Sequence, residues 1–227
     1  SSLADFNVRD GPDALTFDAT MMRLYTCTLT VESPDSMFGE YWVTAEVEDT
    51  SGMSNTATQN EFWFLNPVIA LSIDGSLEFG SVRPGASSYS STLAVGNDAT
   101  AGSGVLLEMF ISGTDFTDPT SSAAKCPTTN QLDLGSFGYL ATNGAHSSQG
   151  QTGTDAEGYD AIPEGTRITE SQELIGGDAY LGDGDLREAG NVLAPGAETS
   201  VTLKLTLPSP CNGDFTDGSI YFWGLAV

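Results

Sequence analysis

The chain has 227 residues and carries 31 acidic against 7 basic side chains, a formal charge of −24. That length allows one large or two modest domains, and 39% apolar residues exclude a wholly disordered acidic chain. The scarcity of Lys and Arg argues against nucleic acid, whose binding needs cations to displace phosphate counterions, and against anionic membrane surfaces.

Twenty-six glycines beside a charged fraction of only 17% favour a turn-rich all-β protein over charged helical bundles. The apolar period is two nearly throughout, as strands require. Tyr25, Cys27, Leu29 and Val31 alternate with Thr26, Thr28, Thr30 and Glu32. Next, Tyr41, Val43, Ala45 and Val47 share one face, opposite Glu40, Thr44, Glu46 and Glu48. Asp49-Thr50-Ser51-Gly52 supplies a turn, and the aromatic-rich Glu61–Leu65 another strand, so residues 1–66 are expected to form a small β-sandwich. Asn66-Pro67 breaks the pattern and opens a second, larger sandwich over 67–227. Val68–Ile73 begins it, and its strands are expected at Leu77–Phe79, Tyr89–Val95, Val105–Ser112, Val201–Leu207 and Ile220–Val227. Between them the signal weakens into a loop-rich insertion around 117–198, with a small, polar, Gly-rich stretch from Ala141 to Gly158 and one short helical candidate, Ile168–Leu174. No stretch approaches the roughly 20 apolar residues of a membrane span. With neither Met nor a basic-then-apolar leader at Ser1, the chain reads as processed or as a piece of a longer product.

Gly39, Tyr41, Val43, Val47, Asp49 and Gly52 match the late strands of PKD-like immunoglobulin-type modules, which this stretch resembles. Leu77-Glu78-Phe79-Gly80-Ser81-Val82-Arg83-Pro84-Gly85 resembles the opening of a second Ig-like surface module, followed by a strand and an Asn-containing turn at Leu93–Asn97. The resemblance implies two Ig-like β-sandwich domains in tandem, the second carrying the insertion. It also implies kinship with secreted archaeal and bacterial surface proteins that serve as stalks, coats and filament subunits. Such motifs speak to fold far more than to function.

Cys126 and Cys211 flank the insertion, and their pairing would suit an extracellular setting. A bridge involving Cys27, or three free thiols, are the alternatives. Asp178, Asp183, Asp185 and Glu188 gather in a Gly-rich loop of the kind that ligates Ca²⁺, without the full helix-loop-helix pattern. A solvated acidic turn accounts for them as well. The single histidine, His146, lies in a polar loop with no Gly-x-Ser-x-Gly turn to pair with, so no catalytic residues are assigned and the chain is not expected to be an enzyme.

The informative oddity is apolar surplus. Trp42 falls among Thr and Glu, and Glu61–Leu65 and Ile220–Trp223 are apolar on both faces. Trp42 and Trp223 therefore divide between cover by the chain itself and contact with a partner. Leu3, Phe6 and Val8 lie in the segment expected to donate a strand to a neighbouring copy, although these three do not keep strict alternation. The function expected is a structural subunit of an extracellular or cell-surface assembly (a filament, pilus-like thread or surface layer) whose partners are copies of itself. The alternative is an adhesin or carbohydrate-binding module taking glycans on the 141–160 loop, flanked by Tyr139 and Tyr159.

Overall fold

The structure, a computed structural model, describes residues 39–48, 50–120, 123–149, 153–176 and 190–227. The chain divides into compact units Ser1–Val31 and Glu32–Val227, and every described residue belongs to the second. The strand expected around Cys27 lies outside the described residues.

Strands β1 (Gly39–Glu48) and β2 (Ser54–Leu65) form an antiparallel hairpin that is a two-stranded sheet of its own. The pairing register of the hairpin shifts once, between Trp42 and Thr44. Bulges of this kind add local twist and blunt pairing at an edge. β2 ends at Leu65, where Asn66-Pro67 removes an amide donor.

After Pro67 come β3 (Leu71–Asp74), β4 (Ser87–Tyr89), β5 (Leu93–Asn97) and β6 (Leu107–Gly113). Next are β7 (Phe116–Thr117), β8 (Gln131–Leu132), β9 (Phe137–Asn143), β10 (His146–Ser147) and β11 (Asp160–Ala161). The last are β12 (Gln172–Glu173), β13 (Val192–Leu193), β14 (Glu198–Thr206) and β15 (Ile220–Ala226). A seven-stranded sheet runs β10-β9-β14-β5-β3, with β11 on β9 and β4 on β14. A four-stranded sheet is built on β6, which carries β12 and β13 on one side and β15 on the other. The side follows from the hydrogen bonds: Met109 exchanges main-chain bonds with Asn191 and Leu174, whereas Thr114 donates to Ser219.

Both sheets alternate, and their inner faces meet in one core. β14 turns Val201, Leu203 and Leu205 inward and β5 turns Leu93 and Val95; across from them β6 contributes Leu107, Met109 and Ile111. The architecture is therefore all-β, with two sheets packed face to face as in a β-sandwich.

Several expected elements differ. Leu77–Phe79 is irregular rather than a strand, although Phe79 and Val82 still pack on the core, with the Phe79 ring 5.9 Å from that of Phe137. Tyr89–Val95 is not one strand: β4 and β5 both lie along β14, interrupted where the Ser90 hydroxyl accepts the Leu203 amide. At Ile168–Leu174 the helix shrinks to a 3₁₀ turn, Ile168–Glu170, followed by β12. The largest departure is β9. The sequence predicts no strand here and an exposed loop from Ala141, yet β9 is an inner strand of the large sheet through Asn143, with Tyr139 and Ala141 fully buried. Its Gly138, Ala141 and Thr142 are too small to register as an apolar strand until β14 is placed beside them.

The Cys126–Cys211 disulfide is present, with a sequence separation of 85. Lys125 and Asn212 exchange main-chain hydrogen bonds of 2.9 Å beside it. At Gly213, with φ +102°, an added Cβ would lie 2.5 Å from Ala124 Cα, so only glycine suits this close approach.

Candidate interface cleft

β15 is an edge strand. Ser219 and Val227 bond to Thr114 and Leu106 of the β6 side, which fixes the phase of the ladder. In an antiparallel pair the bonded residues alternate, so Tyr221, Trp223 and Leu225 also spend their main-chain groups on β6. The N–H and C=O groups of Ile220, Phe222, Gly224 and Ala226 point to the open side, and among the described residues nothing pairs with them. β3 ends the larger sheet in the same way. Asp98 donates to Ala70 across the β3–β5 pair, so the main chain of Leu71 and Ile73 faces outward from the sheet edge.

The two edges border one apolar cleft. Ile73, Leu77, Leu93, Phe116, Ile220 and Phe222 line a cavity of about 350 Å³. Leu77 and Phe116 also line an adjoining cavity of about 460 Å³, floored by Phe79, Phe137, Leu205 and Phe215. Side-chain direction explains the opening. Ile73 stands opposite Val95 and faces inward with it, yet Val95 is fully buried and Ile73 is 50% exposed. Phe222 stands opposite the fully buried Ile111 and remains half-buried. One strand further in, the core is closed; at these edges the inward-facing side chains lack cover.

β15 also has an apolar outer face. Tyr221, Trp223 and Leu225 project from it beside Phe110 of β6, and the Tyr221 and Trp223 rings lie 5.6 Å apart. Trp223 is half-buried and its indole N–H donates to the Ser112 hydroxyl at 2.8 Å, which fixes the ring against the sheet. Leu225 is 46% exposed and Leu106 is exposed beside this strand pair. No charged residue occurs from Gly218 to Val227. The strand therefore lacks the edge lysines, prolines and inward charges that usually discourage strand addition.

A second cluster lies on the outer face of the larger sheet. Lys204 pairs with Asp155 at 2.6 Å and Glu157 at 3.1 Å, and the Tyr89 hydroxyl donates to Glu157. Tyr89 and Tyr159 rings are 5.5 Å apart, with the ammonium 5.8 Å from the Tyr159 ring centre. The hydrogen bond to Asp155 raises the Lys204 pKa, and the same bond lowers that of Asp155; the bond from Tyr89 lowers that of Glu157. A hollow of about 110 Å³ adjoins, lined by Gly138, Asp155, Tyr159 and Thr206 among others. The groups satisfy one another, and the arrangement clamps residues 153–161 to the sheet.

Of the residues singled out from sequence, Cys126 and Cys211 are brought together and Trp223 lies on the outer face of β15. Trp42 has its main chain in β1, and its side chain lies outside the described residues. Leu3, Phe6, Val8, Asp178, Asp183, Asp185 and Glu188 also lie outside the described residues, and with them the calcium expectation. Among the described residues no three His, Cys, Asp or Glu side chains converge as metal ligands. Tyr139 is corrected as a glycan platform: it is fully buried, and its hydroxyl donates to Glu173 O and accepts from Gln172. His146 is exposed on β10. Sequence reasoning missed the cleft residues Ile73, Leu77 and Phe116; alternation names a residue's face but not whether anything covers it. No helix among the described residues is long and apolar enough to cross a membrane. No protein-family model, curated protein or solved structure matches this chain.

Proposed function

We propose that this chain is a non-enzymatic structural subunit of an extracellular assembly, joined to copies of itself by β-strand contacts. The observation that carries the reading is β15: an uncharged strand that among the described residues lies at a sheet edge with unpaired main-chain groups, with an aromatic outer face and an apolar cleft behind it. In a chain of charge −24, this is where two copies approach with least repulsion. The Cys126–Cys211 disulfide supports an oxidising, extracellular compartment. The tandem Ig-like organisation suggested by Gly39–Gly52 and Leu77–Gly85 belongs to the same reading, as does Ca²⁺ on Asp178, Asp183, Asp185 and Glu188.

The test is sedimentation velocity over a concentration series, with negative-stain microscopy of the largest species. The parent chain is expected to form regular oligomers or threads. Leu225→Glu, at an already exposed outer-face position, is expected to weaken association at least tenfold while leaving the melting temperature nearly unchanged. A parent chain that stays monomeric at every concentration and ionic strength would overturn the proposal.

A further inference from the structure

We infer that the cleft between β3 and β15 is a strand-acceptor site, and that its occupant is residues Leu3–Arg9 of a second copy of the chain. The inference rests on the assembly reading above and names the contact that would make it. Four main-chain positions left open among the described residues, Ile220, Phe222, Gly224 and Ala226, recur every second residue along β15. That is the template an added strand uses: main-chain bonds give affinity, and every second side chain enters a pocket. The adjoining cavities of about 350 and 460 Å³ lie beside this edge, lined by Ile73, Leu77, Phe116 and Phe222.

The occupant must be an extended segment of about the length of β15, free of proline, with alternating apolar residues and little net charge. In Leu3-Ala4-Asp5-Phe6-Asn7-Val8-Arg9 the apolar Ala4, Phe6 and Val8 alternate, Leu3 stands out of phase with them, and the other conditions are met. As a strand it places Ala4, Phe6 and Val8 on one face and Leu3, Asp5, Asn7 and Arg9 on the other. Asp5 and Arg9 cancel, so the segment is neutral within a strongly anionic chain. Asp74 ends β3 and Asp214 lines the larger cavity, so the acceptor's own charges are acidic and Arg9 complements them. Donor and acceptor are different patches of the same chain. Such a heterologous contact does not close on itself and propagates as a filament, which is the assembly proposed.

Two full-length variants test this. Phe6→Asp spoils the donor and leaves the cleft intact, whereas Ile73→Asp spoils the cleft at an already exposed side chain and leaves the donor intact. Each alone is expected to be monomeric by size-exclusion chromatography with light scattering, with a melting temperature near that of the parent. Mixed in equal amounts, they are expected to give a species of twice the monomer mass and nothing longer, because one good donor and one good acceptor remain. A fluorescent peptide of residues 1–15 is expected to bind the Phe6→Asp chain, and the same peptide carrying Phe6→Asp to bind at least tenfold more weakly. If the Phe6→Asp chain assembles like the parent, another strand is the donor and this inference fails while the assembly reading stands. A mixture that stays monomeric, or no peptide binding, also overturns it. If the parent itself never assembles, the assembly reading fails and this inference fails with it.

Discussion

Asp118 shows how a charged side chain is kept inside this fold. It is 5% exposed, yet its carboxylate accepts the Thr120 hydroxyl at 2.6 Å, the Thr120 amide at 2.9 Å and the Ala124 amide at 3.4 Å. The Thr120 hydroxyl is the main reason its pKa falls to about 2, with the amides adding and burial opposing. An unfolded Asp titrates at about 3.9. Because the folded value is the lower one, the charged form stabilises the fold above about pH 4, and that contribution is lost as pH falls through 2. Asp118→Asn is expected to lower the melting temperature at pH 7 and to flatten its decline between pH 4 and pH 2. Identical acid profiles for variant and parent would show that this carboxylate does not drive the dependence. Asn97 serves the fold differently. Its amide donates to Val105 O at 2.7 Å and Leu193 O at 2.9 Å, so a residue of β5 in one sheet holds β13 of the other.

The elements owe their stability to pairings far apart in sequence. The stretch that reads least clearly as structure, around 117–198, lies mostly between Cys126 and Cys211, and the disulfide closes a loop with a sequence separation of 85. In the chain-entropy view a loop of that size contributes about 4–5 kcal/mol. Cys126→Ser with Cys211→Ser is expected to lower the denaturant-unfolding free energy by about that amount. A loss below about 1 kcal/mol would mean that the main-chain bonds between Lys125 and Asn212 already hold the two segments together. Strand identity was legible where bulky apolar residues alternate, as in β6 and β14, or run on unbroken, as in β15. It failed at β9, where Gly138, Ala141 and Thr142 interrupt the bulky residues, and at Tyr89–Val95, where a strand-like run is broken into two pieces along β14. Tyr139 looked like a loop-side aromatic for the same reason: its burial depends on β11 and β14, which join β9 from residues 160–161 and 198–206.

Across the whole molecule, the net charge of −24 opposes association at long range and leaves the uncharged β15 region as the favoured point of approach. Screening length falls from about 30 Å at 0.01 M salt to about 3 Å at 1 M. Self-association is therefore expected to strengthen across that range, as read by sedimentation velocity. Association unchanged by salt would show that charge is not what limits it. The sequence by itself determined that the protein is all-β, that Cys126 and Cys211 are suitably placed to pair, and that Ile220–Trp223 carries apolar residues on both faces. Each of these follows from local alternation or from composition. Only the tertiary structure decided that β9 is an inner strand, that Tyr139 is buried, and that among the described residues β3 and β15 leave their edges open along one cleft. Alternation assigns a side chain to a face, but cover comes from non-local partners, and a missing neighbour leaves no mark in the strand that lacks it.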